Sequence, residues 1–114
     1  MKLTAALALT ALIAGCEQAY AQSFLTAPNG MTLYTFDKDS NDVSNCYDGC
    51  ASAWPPYAAP AGAQSPGGGL TAIQRNDGTY QWAKNGAPLY FWQGDRAPGD
   101  KTGDGVGGVW HIAR

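Results

Sequence analysis

Apolar residues in this chain form one unbroken run near the N-terminus and, beyond it, only short stretches where apolar and polar positions alternate. The run lies in MKLTAALALTALIAGCEQAYAQ, follows a Lys, ends in small residues and is too short to span a bilayer. It reads as a secretory signal peptide with two overlapping processing sites. Ile13-Ala14-Gly15-Cys16 fits a lipoprotein box that would remove residues 1–15 and leave Cys16 as a lipidated N-terminus. Ala19-Tyr20-Ala21 fits ordinary cleavage that would remove residues 1–21, and Cys16 with them. The first outcome tethers the protein to an envelope membrane, and the second releases it. Residues 22–114 are then a single domain, which at this size buries about 60 to 65% of its unfolded surface.

Within that domain the alternation marks paired strands. Asn29-Gly30 and Asn85-Gly86 each separate two strand-like stretches, and a two-residue type I′ turn with positive φ at both positions joins such stretches tightly. Residues 24–28 are therefore expected to pair with 31–36, and 80–84 with 87–92. Side chains alternate with period two, so Tyr34 shares a face with Phe36, and Tyr90 with Trp92. Leu70 to Arg75 is expected to pair with Tyr80 to Lys84 through Asn76-Asp77-Gly78, and Val109 to Ala113 to add a closing strand. Pro88 lacks an amide proton and belongs at an edge or a strand start. Residues 50–54 allow one helical turn before Pro55 and Pro56 stop it, and PPYAAPAGAQSPGGG reads as an extended surface crossover.

The two hairpins are copies of each other. At a gapless offset of 56, Ala27 falls on Ala83, Asn29 on Asn85, Gly30 on Gly86, Leu33 on Leu89, Tyr34 on Tyr90, Asp39 on Asp95 and Trp54 on Trp110. Phe36 meets Trp92 in the same register. A lone hairpin cannot bury its own aromatic face. The expected fold is all-β: a small antiparallel sandwich or barrel of two pseudo-repeated hairpin units closed over one core. In this reading each Tyr hydroxyl bonds the Asp of its own unit, Tyr34 to Asp39 and Tyr90 to Asp95, because a buried hydroxyl needs a partner.

Charge and cysteine content narrow the function. The net charge is -2, and every acid beyond residue 21 is an Asp, which argues against nucleic acid as partner and against long helices. Outside the cytoplasm the pair Cys46 and Cys50 is most simply a disulfide.

The joint pattern resembles a bacterial secreted-repeat lipoprotein family marked by Tyr-x-aromatic-x-x-Asp. It consists of Tyr34-x-Phe36-x-x-Asp39, Cys46-x-x-x-Cys50-Ala51-x-x-Trp54-Pro55-Pro56, Pro88-Leu89-Tyr90-x-Trp92-x-x-Asp95 and a late Trp110. The resemblance implies an exported protein, in the periplasm or at the cell surface and often lipid-anchored, whose biochemical activity is uncharacterised.

Residue by residue, the chemistry points to binding or scaffolding of an envelope component or small ligand, and away from catalysis. There is no nucleophile elbow and no phosphate loop. Three alternatives have residues behind them. Cys46 and Cys50, with His111, are candidates for thiol redox or copper handling, because soft thiolates select copper. Tyr80, Trp82 and Trp92 are candidates for a carbohydrate groove. Asp37, Asp39, Asn41, Val43, Asn45 and Asp48 fall at calcium-loop positions, although Asp42 stands where such a loop needs Gly. No resident cofactor is expected.

Overall fold

The computed structural model describes residues 23–114, so the expected signal peptide and the Cys16 lipidation site lie outside the described residues. Among the described residues, six short strands make two antiparallel sheets in a sandwich-like fold that does not close into a barrel. In one, β1 (Tyr34–Phe36) pairs with β6 (Trp110–Ile112), Thr35 opposite His111. The other comprises β2 (Ala58–Ala59), β3 (Leu70–Gln74), β4 (Tyr80–Lys84) and β5 (Ala87–Pro88). There β4 pairs along its whole length with β3 and shares its other edge between β2 and β5. A one-turn helix spans Gly49–Ala53, and a 3-10 turn spans Val106–Gly108.

The two sheets meet at the tyrosines of the repeat. Tyr34 N–H donates to Tyr90 O at 2.8 Å, and Tyr90 N–H returns a bond to Tyr34 O at 3.0 Å. Because these residues are each other's counterparts at the offset of 56, the bridge lies on a pseudo-twofold axis. Other bonds repeat about it. Ala113 N–H donates to Leu33 O and Tyr57 N–H to Leu89 O; Asp37 N–H donates to Val109 O and Gln93 N–H to Ala53 O. Residues 55–58 thus run where residues 111–114 run in the other half. The extended crossover expected from residue 55 onward is paired at its start, where Ala58–Ala59 forms β2. Two prolines hide this strand in the sequence. Pro55 contributes through its carbonyl, which accepts Phe91 N–H at 2.7 Å, so its missing amide is no loss.

The second hairpin turns as expected, with φ of 49° at Asn85 and 88° at Gly86. The first does not. Only Gly30 has positive φ there, and Ala27 N–H, not residue 28, donates to Met31 O. The cause is Pro28, which has no amide to close a two-residue turn and whose fixed φ suits the first corner of a type I turn instead. The pairing slips by one residue: Leu33 N–H reaches Leu25 O, whereas its counterpart Leu89 N–H reaches Trp82 O.

Burial follows the same symmetry. Phe36, Trp110, Trp54 and Trp92 form one column of rings, with centroid separations of 4.2, 3.8 and 4.1 Å in that order. The central pair, Trp54 and Trp110, are repeat counterparts. Tyr34 meets Trp54 edge-on at 5.3 Å and Tyr90 meets Trp110 edge-on at 5.2 Å. Offset stacks and edge contacts are the arrangements that the ring quadrupole favours. Gly103 sits where a Cβ would lie 2.9 Å from both Trp54 and Trp92, so only glycine lets the backbone cover the column. A second cluster holds Ala27, Leu33, Leu89 and Ala113, flanked by Tyr57, Trp82 and Phe91.

Candidate functional site

The repeat motif is shared across units, which corrects the expected pairing. Tyr34 Oη donates to Asp95 Oδ2 at 2.8 Å, and Tyr90 Oη donates to Asp39 Oδ2 at 2.7 Å. Each tyrosine therefore bonds the aspartate of the other unit. The reason is the axis itself: the strands carrying Tyr34 and Tyr90 pair antiparallel, so each hydroxyl points toward the loop that follows its neighbour. The second oxygen of each carboxylate holds its own loop. Asp39 Oδ1 accepts Asn45 N–H at 2.7 Å, and Asp95 Oδ1 accepts both N–H and Oγ1–H of Thr102 at 2.9 and 2.7 Å. Burial pushes both phenols well above the usual tyrosine range, and the adjoining carboxylates push the same way. They are permanent donors, unsuited to act as bases.

On the Asp39 side the network runs deeper. The one proton of Tyr90 goes to Asp39, so the Ser44 hydroxyl, 2.6 Å away, donates to Tyr90 Oη. Ser44 Oγ in turn accepts from Arg75 at 2.9 Å. Arg75 is only 4% exposed and also donates to Gln81 Oε1 at 2.8 Å and Cys46 O at 2.6 Å, with its guanidinium 4.3 Å above the Tyr47 ring. Among the described residues no carboxylate makes ion-pair contact with Arg75. Its charge is relayed through two hydroxyls to Asp39, all donors oriented the same way, an arrangement in which successive bonds polarise one another.

Burial raises the Asp39 carboxyl above its ordinary value, against the lowering effect of Asn45, Tyr90 and Arg75. The native state therefore holds this proton more tightly than the unfolded chain does. The stabilisation is complete below the ordinary value of 3.8 and is lost as pH rises through the elevated native value. Urea unfolding from pH 3 to 7 should show wild type losing stability relative to Asp39→Asn across that window. A relative gain there would contradict the assignment.

Cys46 and Cys50 are joined in a disulfide. Cys46 is fully buried against the aromatic column, and Cys50 packs on the same cluster. The bridge anchors the one-turn helix beneath Trp54, and its sulfurs are not free thiolates. The loop it closes is five residues long, so replacing both cysteines by serine is expected to cost about 2 kcal/mol, read as a lowered urea midpoint.

The remaining sequence candidates are dispersed. His111 does not join the cysteines; its Nε2 lies 2.8 Å from Asp37 Oδ2 in an exposed pair. Asp37 bonds His111 and Asp39 bonds Tyr90, both outside the loop, and Asn45 Nδ2 donates to Lys38 O within it, so the loop 37–48 is organised by protein bonds. Among the described residues no three His, Cys, Asp or Glu side chains converge as metal ligands. Tyr80 and Trp82 alternate onto one face of β4, and Trp82 packs near Tyr57, whereas Trp92 belongs to the other cluster. These three rings do not line one groove.

A cleft of about 250 Å³ opens instead beside Asp39, where the motif loop of the first unit meets the turn of the second hairpin. Phe36, Asp39, Ser40, Asn41, Asn85 and Pro88 line it. From sequence Asn85 stood out only as a turn residue, and Ser40, with Ser44 and Arg75 behind it, was not among the candidate site residues. The available signal was a mismatch between copies: Ser40-Asn41-Asp42 stands opposite Arg96-Ala97-Pro98.

A family model described as a secreted repeat of unknown function matches the chain twice, over residues 23–58 and 71–114. The chain belongs to that secreted-repeat family. The two matched segments contain the two units related by the axis, and the second also takes in β3 apart from Leu70. No curated protein and no solved structure matches the chain. Membership supports an exported protein, and the secreted-repeat protein carries no assigned activity from its family.

Proposed function

We propose that the secreted-repeat protein is a non-enzymatic binding or scaffolding module of the cell envelope, in the periplasm or at the cell surface, with Cys16 as its anchor when lipoprotein processing operates. The observation that carries this reading is how the motif is used. Both tyrosines and both aspartates are committed to joining the units, with phenols held protonated, so the residues that define the repeat build a frame and are not arranged as catalysts. What the frame leaves open is the cleft at Asp39.

Native mass spectrometry of the protein isolated from its own envelope tests the reading. A non-covalent ligand or protein partner, retained under native conditions and lost on denaturation, is the expected result. The same spectra report the N-terminus, any lipid, and a gain of two hydrogens on reduction. A bare polypeptide under native conditions would count against the module reading.

A further inference from the structure

We propose that the cleft at Asp39 binds a neutral, polyhydroxylated ligand of single-ring size, such as one monosaccharide unit or a cyclic polyol; this rests on the binding-module reading above. Symmetry first shows that the cleft is a departure from the common plan. Each unit lays its motif loop on the other unit's hairpin turn. In one copy Pro98 lies 2.9 Å from where a Gly30 Cβ would be, Thr32 Oγ1 donates to Asp100 O at 2.6 Å, and Gly99 N–H donates to Gly30 O. That loop is drawn down onto the turn. In the other copy the counterpart of Thr32 is Pro88, which has no hydroxyl to hold a loop; the loop instead meets the turn through Asp42 N–H, which donates to Gly86 O at 2.8 Å, while Ser40 and Val43 bond each other. The place that Pro98 takes over Gly30 is taken over Gly86 by the Asn41 amide, and the cleft opens beside that amide, between it, Phe36 and Asn85.

The lining then selects the ligand. Ser40, Asn41 and Asn85 each offer donors and acceptors, as a sugar hydroxyl does, and all three side chains are exposed. Phe36 supplies an apolar ring at the end of the aromatic column, suited to the C–H face of a pyranose. Gly86 contributes by absence: a Cβ there would collide with the Asn41 amide, so glycine keeps that amide against the cleft wall. Asp39 can accept a hydroxyl, but its charge is already shared with Tyr90, Asn45 and the buried Arg75, which makes it a weak anchor for a cation. The size agrees. At about 250 Å³ the cleft lies below the 300–1,000 Å³ typical of larger ligands.

Amide-resolved NMR titration of the folded protein tests this with two probe sets: D-glucose, D-galactose, N-acetyl-D-glucosamine and myo-inositol against choline and ethanolamine. At least one neutral probe is expected to give saturable millimolar shifts at Ser40 and at the Asn41 and Asn85 side-chain amides. The Ser40→Ala, Asn41→Ala double variant, both sites exposed, should weaken that binding at least ten-fold while leaving distant resonances in place. Saturation of the same residues by the cationic probes alone would overturn the ligand class and leave the module reading standing. Saturable shifts confined to the Tyr80 and Trp82 face, or none from any probe, would overturn the site itself, while the native mass spectrum judges the module reading separately.

Discussion

Trp54→Ala is expected to remove about 3 to 5 kcal/mol of stability, the usual cost of truncating a buried aromatic, out of the roughly 5 to 15 kcal/mol that holds a domain together. Trp54 is 4% exposed and stands at the centre of the ring column, against Trp110 on one face and Trp92 on the other, with Tyr34 at its edge. Its loss leaves a void on the pseudo-twofold axis, where both units depend on it. Trp110→Ala should cost about as much, by symmetry. Trp82→Ala should cost clearly less, because its ring is half-buried and its nearest aromatic partner, Tyr57, is 6.4 Å away. Urea unfolding of the three variants checks the ranking. A Trp82 effect equal to that of Trp54 would mean that the column is not the principal core.

Arg75→Met is expected to cost about 3 kcal/mol, although Met fills similar space. The guanidinium satisfies Ser44, Gln81 and the Cys46 carbonyl at once, and an orphaned buried acceptor costs about 1 to 3 kcal/mol. Arg75→Lys should recover only part of this, because a single ammonium cannot reproduce a planar fork that reaches three acceptors. The loss should not stay local. Without Arg75 the Ser44 hydroxyl loses a donor, and the relay to Tyr90 and Asp39 loses its positive end. Chemical denaturation of both variants, with backbone amide shifts of residues 39–46 as local readout, tests this. An Arg75→Met protein as stable as wild type would show that the network is not energetically coupled to the fold.

Much of this was legible in the residues. The offset of 56, the second hairpin, the pairing of β3 with β4 through the turn at Asn76 to Gly78, the short helix before Pro55 and the disulfide all follow from local chemistry, and the structure has each of them. Partner exchange was not legible. A repeat states which residues are equivalent, but a tyrosine bonded to its own aspartate and one bonded to its counterpart's satisfy the same pattern, and only the antiparallel Tyr34–Tyr90 bridge decides between them. The slipped first hairpin was readable in principle, since Pro28 removes the amide a two-residue turn needs. β2 was obscured because Pro55 and Pro56 mark turns in most settings, whereas here the Pro55 carbonyl and the Tyr57 amide make the pairing on either side of Pro56. Arg75 lies outside the repeated segment, so the comparison of copies passed over it. The cleft escaped for a related reason: it arises where the copies differ, at residues 40–42 against 96–98, and the search for similarity draws attention elsewhere.

The exchange of partners between units is tested most directly by two double-mutant cycles measured by urea unfolding. One combines Tyr34→Phe with Asp95→Ala, and the other combines Tyr34→Phe with Asp39→Ala. The cross-unit cycle should show a coupling of about 1.5 to 3 kcal/mol, appropriate to a buried hydrogen bond to a charged group. The same-unit cycle should be additive within about 0.5 kcal/mol. Strong coupling of Tyr34 to Asp39, with additivity toward Asp95, would mean that each unit closes on itself and that the pseudo-twofold junction described here is wrong.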